Sequence, residues 1–289
     1  MNVKKVIIAV ILLAAGIYGG YLWLSKPKVS VVMLTYQREK ILPGAIDSII
    51  DQTYKDFELI IINDGSTDKT EEVVNSYQDK RIRYYKNAKN RGIAYSRNKA
   101  ADLARGEYIM IMDDDDKSLP ERMSKQVAFL DKNKEITAVA GQISGLPRIP
   151  ENHDDIAAGL IQYNNFGNAN IMYRNAFAKK RQIRYDENLR ACEDWDFWTN
   201  MLFSGAKMAS IPDDVLERNG VSEKHYGISY EEGNIVVREK LGKKIFPANS
   251  QKFYQADSCE KIKMLKDKKI FSAPFYEKLL KINCPKVEQ

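Results

Sequence analysis

The sequence predicts an α/β protein, with a mostly parallel sheet flanked by helices and one apolar helix ahead of it. Three observations lead there. Val29–Thr35 is a continuous apolar, β-branched run, as a strand covered on both faces requires, Phe57–Ile62 reads as a second buried strand, and Ile82–Tyr85, Tyr108–Met112 and Ile136–Ala140 as three more strands. Segments with helical spacing separate them, and strict strand–helix alternation implies parallel strands joined by crossovers. From Val6 to Leu24 no charged residue occurs, a run long enough as a helix to cross a hydrocarbon core of about 30 Å.

Lys4 and Lys5 precede the apolar run, and Lys26 and Lys28 follow it, without a small-x-small cleavage site. Residues 1–28 therefore read as a single-pass anchor, and lysines at both ends leave its orientation open. Leu42–Ile50 places Ala45, Ile46, Ile49 and Ile50 on one side, with Pro43 near its start. The second strand runs into Asn63-Asp64-Gly65-Ser66-Thr67-Asp68, where Gly permits a tight turn and Asp68 with Glu71 predicts a capped helix start. Gly92–Ala104 reads as a helix, and Pro120 as the first residue of a helix reaching Lys132. From Gln142 to Asn168 the pattern dissolves into loops or a lid. Ala169–Tyr173 is a short strand, Glu193–Phe203 a helix rich in aromatics, and Lys207–Ile211 and Val215–Glu217 two further short strands. Residues 29–229 form the main domain, and 230–289 a Lys-rich helical extension.

The net charge of +6, from 45 basic and 39 acidic residues, is spread without a basic stripe interleaved with aromatics, which argues against a nucleic-acid partner. An anionic membrane or a phosphate-bearing substrate accounts for it as well. Cys192, Cys259 and Cys284 form neither a metal-ligand spacing nor an even disulfide framework.

Chemistry gathers where the fourth strand ends, in Asp113-Asp114-Asp115-Asp116. Four adjacent carboxylates raise one another's pKa unless a cation sits among them, and oxygen-only ligands suit Mg2+ or Mn2+. The alternative is an acidic turn solvated at a strand end. A Ca2+ loop fails, because Ser118 falls at the required Gly and Ser124 at the bidentate Glu. Parallel sheets bind ligands beyond the carboxyl ends of their strands, so the segments at Thr35, Asp64 and Asp113 should share one cleft. Glu193 and Asp194 either complement a helix dipole or supply a carboxylate whose pKa Trp195, Phe197 and Trp198 raise.

These pieces, in order, resemble the inverting glycosyltransferases of family 2, with their GT-A-type, Rossmann-like fold. Val31-Val-Met-Leu-Thr35-Tyr36-Gln-Arg38 resembles the first strand and its nucleotide-contacting end; Ile61-Ile-Asn-Asp64-Gly65-Ser66-Thr67-Asp68 is similar to the Asp-Gly-Ser-Thr-Asp segment. Asn90-Arg-Gly92 with Ser96-Arg97-Asn98, Gly106-Glu107-Tyr108 before the aspartates, and Glu193-Asp194-Trp195-Asp196-Phe197-Trp198 continue the match. Three positions depart from it: Ser96 for Ala, Asn63 for a first Asp, and Asn200 where an Arg often follows.

The resemblance implies transfer of a hexosyl or N-acetylhexosaminyl group from a nucleoside-diphosphate donor, a UDP-sugar, to a hydroxyl of a glycan, lipid-linked or protein acceptor. It makes Asp115 the metal ligand for Mn2+ or Mg2+, and turns Asp113 or Asp114 toward the sugar or ribose. Asp64, Thr35, Tyr36 and Arg38 then line the nucleotide pocket, Arg97 meets a phosphate, and Asp194 is the general base. A bacterial chain would face its donor in the cytoplasm, a eukaryotic one in the Golgi lumen. Alternatives are a nucleotidyltransferase on the same carboxylates and an inactive, membrane-tethered sugar-binding module. A processive synthase would want an Arg-Trp pair, and a dehydrogenase a Gly-x-Gly-x-x-Gly after the first strand; neither is present.

Overall fold

The computed structural model describes residues 26–161 and 163–218, together with positions 237, 239, 240, 260, 263, 264, 273, 276, 277 and 280. The apolar run Val6–Leu24 and most of the C-terminal extension lie outside the described residues. Among the described residues no helix is long and apolar enough to cross a membrane.

The elements follow in the order β1 (Val29–Thr35), α1 (Leu42–Ile50), β2 (Phe57–Asn63), α2 (Thr70–Asn75), β3 (Ile82–Lys86), α3 (Ile93–Leu103), β4 (Tyr108–Asp113), β5 (Asp116–Ser118), α4 (Arg122–Lys132), β6 (Ala138–Ile143), α5 (His153–Leu160), β7 (Ile171–Arg174), α6 (Asn175–Arg181), α7 (Glu193–Phe203) and β8 (Met208–Arg218). They build one sheet of order β3-β2-β1-β4-β7-β6-β8-β5. β1 through β4 are parallel, β7 runs antiparallel to β4 and β6, and β5 antiparallel to β8. Alternation along the strands sends Val31, Met33, Met110 and Met112 toward α1 and α4. It sends Val32, Ile60, Ile109 and Ile111 toward α3, α5 and α7.

Several local expectations give way to tertiary contacts. Asp68 does not form a capping box with Glu71: its carboxylate takes the Thr70 amide (3.1 Å) and hydroxyl (2.6 Å) and the Glu39 amide (3.2 Å), tying two loops together. Pro120 lies ahead of α4, which begins at Arg122, because its carbonyl accepts from the Thr53 amide at 2.9 Å. The expected loop from Gln142 to Asn168 contains α5, capped by Asn152, whose side chain accepts from the Asp155 amide at 2.9 Å. Neither α6 nor β5 was signalled, since both are short and polar. The two strands expected near residues 207 and 215 are one, β8, which carries exposed Pro212 past β6 through a register irregularity between Ala140 and Ile143.

Beneath α7 lies an aromatic cluster that fixes its height over the sheet. Trp198 meets Phe197, Phe166 and Tyr173 edge-on at centroid distances of 5.0, 5.5 and 5.8 Å. Its indole N–H is buried and meets no partner among the described residues. Trp198→Ala is therefore expected to cost about 3–5 kcal/mol in urea unfolding. Trp198→Phe should cost less than half as much, because it keeps a ring and gives up only an unpaired donor.

Candidate active site

The chain moves outward from β1 to β2 and β3, then returns to place β4 on the other side of β1. This reversal opens a crevice beyond the carboxyl ends of β1 and β4, where Leu34 and Asp113 stand in register. Thr35, Arg38 and the acidic run meet there. The Arg38 guanidinium lies 3.8 Å from an Asp114 oxygen and 3.7 Å from an Asp115 oxygen, reaches that suit ion pairs rather than hydrogen bonds. The buried Thr35 hydroxyl lies against Asp114 but, among the described residues, meets no group in full hydrogen-bonding geometry. Tyr36 is exposed beside it.

Asp64 is placed otherwise. Its buried carboxylate accepts from Asn87 Nδ2 (2.6 Å), the Arg91 amide (3.0 and 3.2 Å) and the Gly92 amide (2.8 Å), leaving little capacity for a nucleobase. It holds the β3–α3 loop in place. Gly65, at φ +81°, makes this possible, since a Cβ there would lie 2.5 Å from the Lys89 carbonyl carbon.

Within the acidic run the carboxylates differ by environment. Burial pushes Asp114 up to about 7, against the pull of Thr35 and Arg38. Burial likewise pushes Asp116 up to about 7, with Asp113 and Asp115 adding to it and Arg218 and Arg122 opposing. Asp116 heads β5 opposite Arg218, a pairing with no signature in the sequence. Arg122 is almost fully buried, donating to the Ile111 carbonyl (2.8 Å) and to Gln126 (3.2 Å). Burial lowers it to about 9, opposed by Asp116 and Asp113, so it stays a cation under the run at neutral pH.

Among the described residues no three metal-ligating side chains converge. The donor set suits a cation whose shell is completed by water and substrate phosphates: oxygen-only, with Asp115 still one-quarter exposed.

Opposite stands the first turn of α7. Glu193 accepts a 2.5 Å bond from Arg97 Nη1, while Arg97 Nη2 lies 3.7 Å from Asp113. Burial alone would lower the Arg97 pKa, but Glu193, with Tyr185 and Asp113 behind it, carries it well above its usual value. Arg97 is thus an internal counter-ion between two carboxylates, and any phosphate it meets must share it with them. Asp194 accepts from Asn164 Nδ2 at 2.9 Å and from the Trp195 amide at 2.7 Å. Enclosure and the adjacent Glu193 push it up to about 7, with Arg97 pulling the other way. Asn164 escaped the sequence reading because it sits in a stretch without periodicity.

The profile of the family described as Glycosyl transferase family 2 matches residues 30–200. The chain belongs to glycosyl transferase family 2. It is 36% identical over 208 residues to the uncharacterized glycosyltransferase MJ1057 of Methanocaldococcus jannaschii, covering 67% of this chain and 71% of that one. It is 28% identical over 190 residues to the Escherichia coli UDP-Glc:alpha-D-GlcNAc-diphosphoundecaprenol beta-1,3-glucosyltransferase WfaP, covering 62% and 72%. Residues 1–349 of S. aureus TarS, solved in complex with UDP-GlcNAc, superpose with a TM-score of 0.65 at 22% identity, covering 83% of this chain and 71% of that one. The fold is therefore GT-A-like, and the enzyme is a glycosyltransferase.

The raised Asp194 pKa has a consequence for this transferase's stability. Between about pH 4 and pH 7 the unfolded carboxyl ionises while the folded one keeps its proton, so stability falls across that window and levels off above it. Asp194→Asn does not titrate. Its Tm should exceed the wild type's by a margin that widens up to about pH 7 and is constant beyond, reaching several degrees, in melts with EDTA.

Proposed function

We propose that this enzyme moves a hexosyl or N-acetylhexosaminyl group from a UDP-sugar to a hydroxyl of a lipid-linked glycan acceptor, with inversion, using Asp194 as general base. One observation supports the reading: the Asp194 carboxylate, pushed up to about 7 by burial and Glu193, is pinned by the uncharged Asn164 amide and lies within electrostatic reach of Asp113 at the end of β4. A base poised near the working pH combines a useful ionised fraction with real proton affinity. Asp194 takes the acceptor's proton as its oxygen attacks the anomeric carbon on the face opposite the departing diphosphate.

Thr35, Tyr36 and Arg38 line the nucleotide, and Asp113 or Asp114 faces the sugar or ribose. Asp115, with Asp113 close by, would hold Mn2+ or Mg2+, which when bound neutralises charge on the departing diphosphate. The named donors of WfaP and TarS support a UDP-sugar, and WfaP's diphosphoundecaprenol acceptor supports a lipid-linked one. The uncharged run Val6–Leu24 fits that choice as a single-pass anchor holding the domain at a bilayer. In a bacterium the domain would face the cytoplasm, where UDP-sugars are made.

A screen of UDP-sugars with Mn2+, scoring released UDP, tests the reading; a nucleotidyltransferase would instead release pyrophosphate when given UTP and a sugar 1-phosphate. Turnover should rise with pH through about 7, as Asp194 ionises. Asp194→Asn should lower kcat by roughly 10²–10⁴-fold with UDP affinity kept. Asp115→Ala should weaken Mn2+-dependent UDP binding in calorimetry. Undiminished turnover by Asp194→Asn removes that residue from its role.

A further inference from the structure

We infer that Lys240 is a positioning residue of the active site, clamping the base-bearing turn of α7 to the loop ahead of it. The inference rests on Asp194 being the base.

Lys240 Nζ lies 2.6 Å from Asp186 and 2.9 Å from Asp196. Asp196 is almost fully buried, and its other oxygen accepts from Asn200 Nδ2 at 2.9 Å. Each oxygen of Asp196 thus has a partner, one from within α7 and one from the C-terminal segment. Val237 occupies the same helical face one turn earlier and is 1% exposed, in the apolar layer that holds Trp195 and Met201. An apolar residue and a cation on one face therefore dock together.

The position of the clamp explains what it does. The first turn of α7 carries Glu193, Asp194 and Asp196, and like charges so close repel. Each is met from a different segment: Glu193 by Arg97 of α3, Asp194 by Asn164 after α5, Asp196 by Lys240. The same Nζ also holds Asp186, next to Tyr185, whose ring stacks on Phe197 at 4.2 Å with Arg97 5.3 Å from its centroid. Removing the Lys240 charge leaves a buried carboxylate with one amide partner, two residues from the base. The turn then has reason to shift toward water, which misplaces Asp194 without touching the nucleotide crevice.

An arginine at position 200 would stand four residues after Asp196 on the same helix and could supply the missing cation from within α7. That gives a compensating variant. In the full-length protein, UDP release from the donor found in the screen is measured for Lys240→Met, Lys240→Arg, Lys240→Met/Asn200→Arg and Asp194→Asn. Lys240→Met is expected to lower kcat by about 10- to 100-fold, the scale of a 1 Å misplacement. Donor KM and UDP Kd should stay within about twofold of wild type. Lys240→Arg should keep most of the activity, and the double variant should regain most of what Lys240→Met loses. A folded Lys240→Met with wild-type kcat overturns the clamp, as does a folded double variant no better than Lys240→Met. If Lys240→Met does not fold, wild-type-like kcat in the folded double variant supports the clamp and low kcat overturns it. Full turnover by Asp194→Asn overturns the base assignment instead, whatever Lys240 does.

Discussion

The site depends on a buried guanidinium shared between two carboxylates. Arg97 ties Glu193, on the turn that carries Asp194, to Asp113, on the strand end that carries the acidic run. Removing an arginine from water is costly, and it stays charged here because opposite charges stand on two sides of it. Taking away either carboxylate would strand that charge. The separation between the acidic run and Asp194 is thus set by one side chain on α3, itself held by the loop that Asp64 organises.

Around that bridge, neighbouring carboxylates acquire different characters from different partners. Glu193 is ion-paired with Arg97, whereas Asp194, one residue on, faces the uncharged Asn164 amide and is driven up by enclosure and by Glu193 itself. The acidic run divides similarly. Asp115 remains partly open near Arg38, while Asp114 and Asp116 are buried and raised, with Arg122 and Arg218 supplying cations near Asp116. Such unevenness leaves one partly open carboxylate beside groups that hold their protons up to about pH 7.

The elements most legible in the sequence were those with strong periodicity. β1, β2, β4 and α7 were readable because buried strands must be largely apolar and α7 must bury an aromatic face. β5, α5 and α6 were not, because each is short; α5 depends on the Asn152 cap and β5 on the distant strand that carries Arg218. Two strands are expected on either side of Pro212, yet β8 runs through it because the register irregularity against β6 accommodates an exposed proline.

What the sequence by itself determined was the alternation, the strand ends carrying Thr35, Asp64 and Asp113, and the Glu-Asp turn, since apolar period and residue type are local properties of the chain. Partners were decided only by the tertiary structure. That Asp64 holds a loop, that Arg97 joins two carboxylates, and that Asn164 and Lys240 reach the first turn of α7 depends on contacts between segments far apart in the chain. Pairing and burial set the charge and geometry of an ionisable group, and neither is a property of the residues on either side of it.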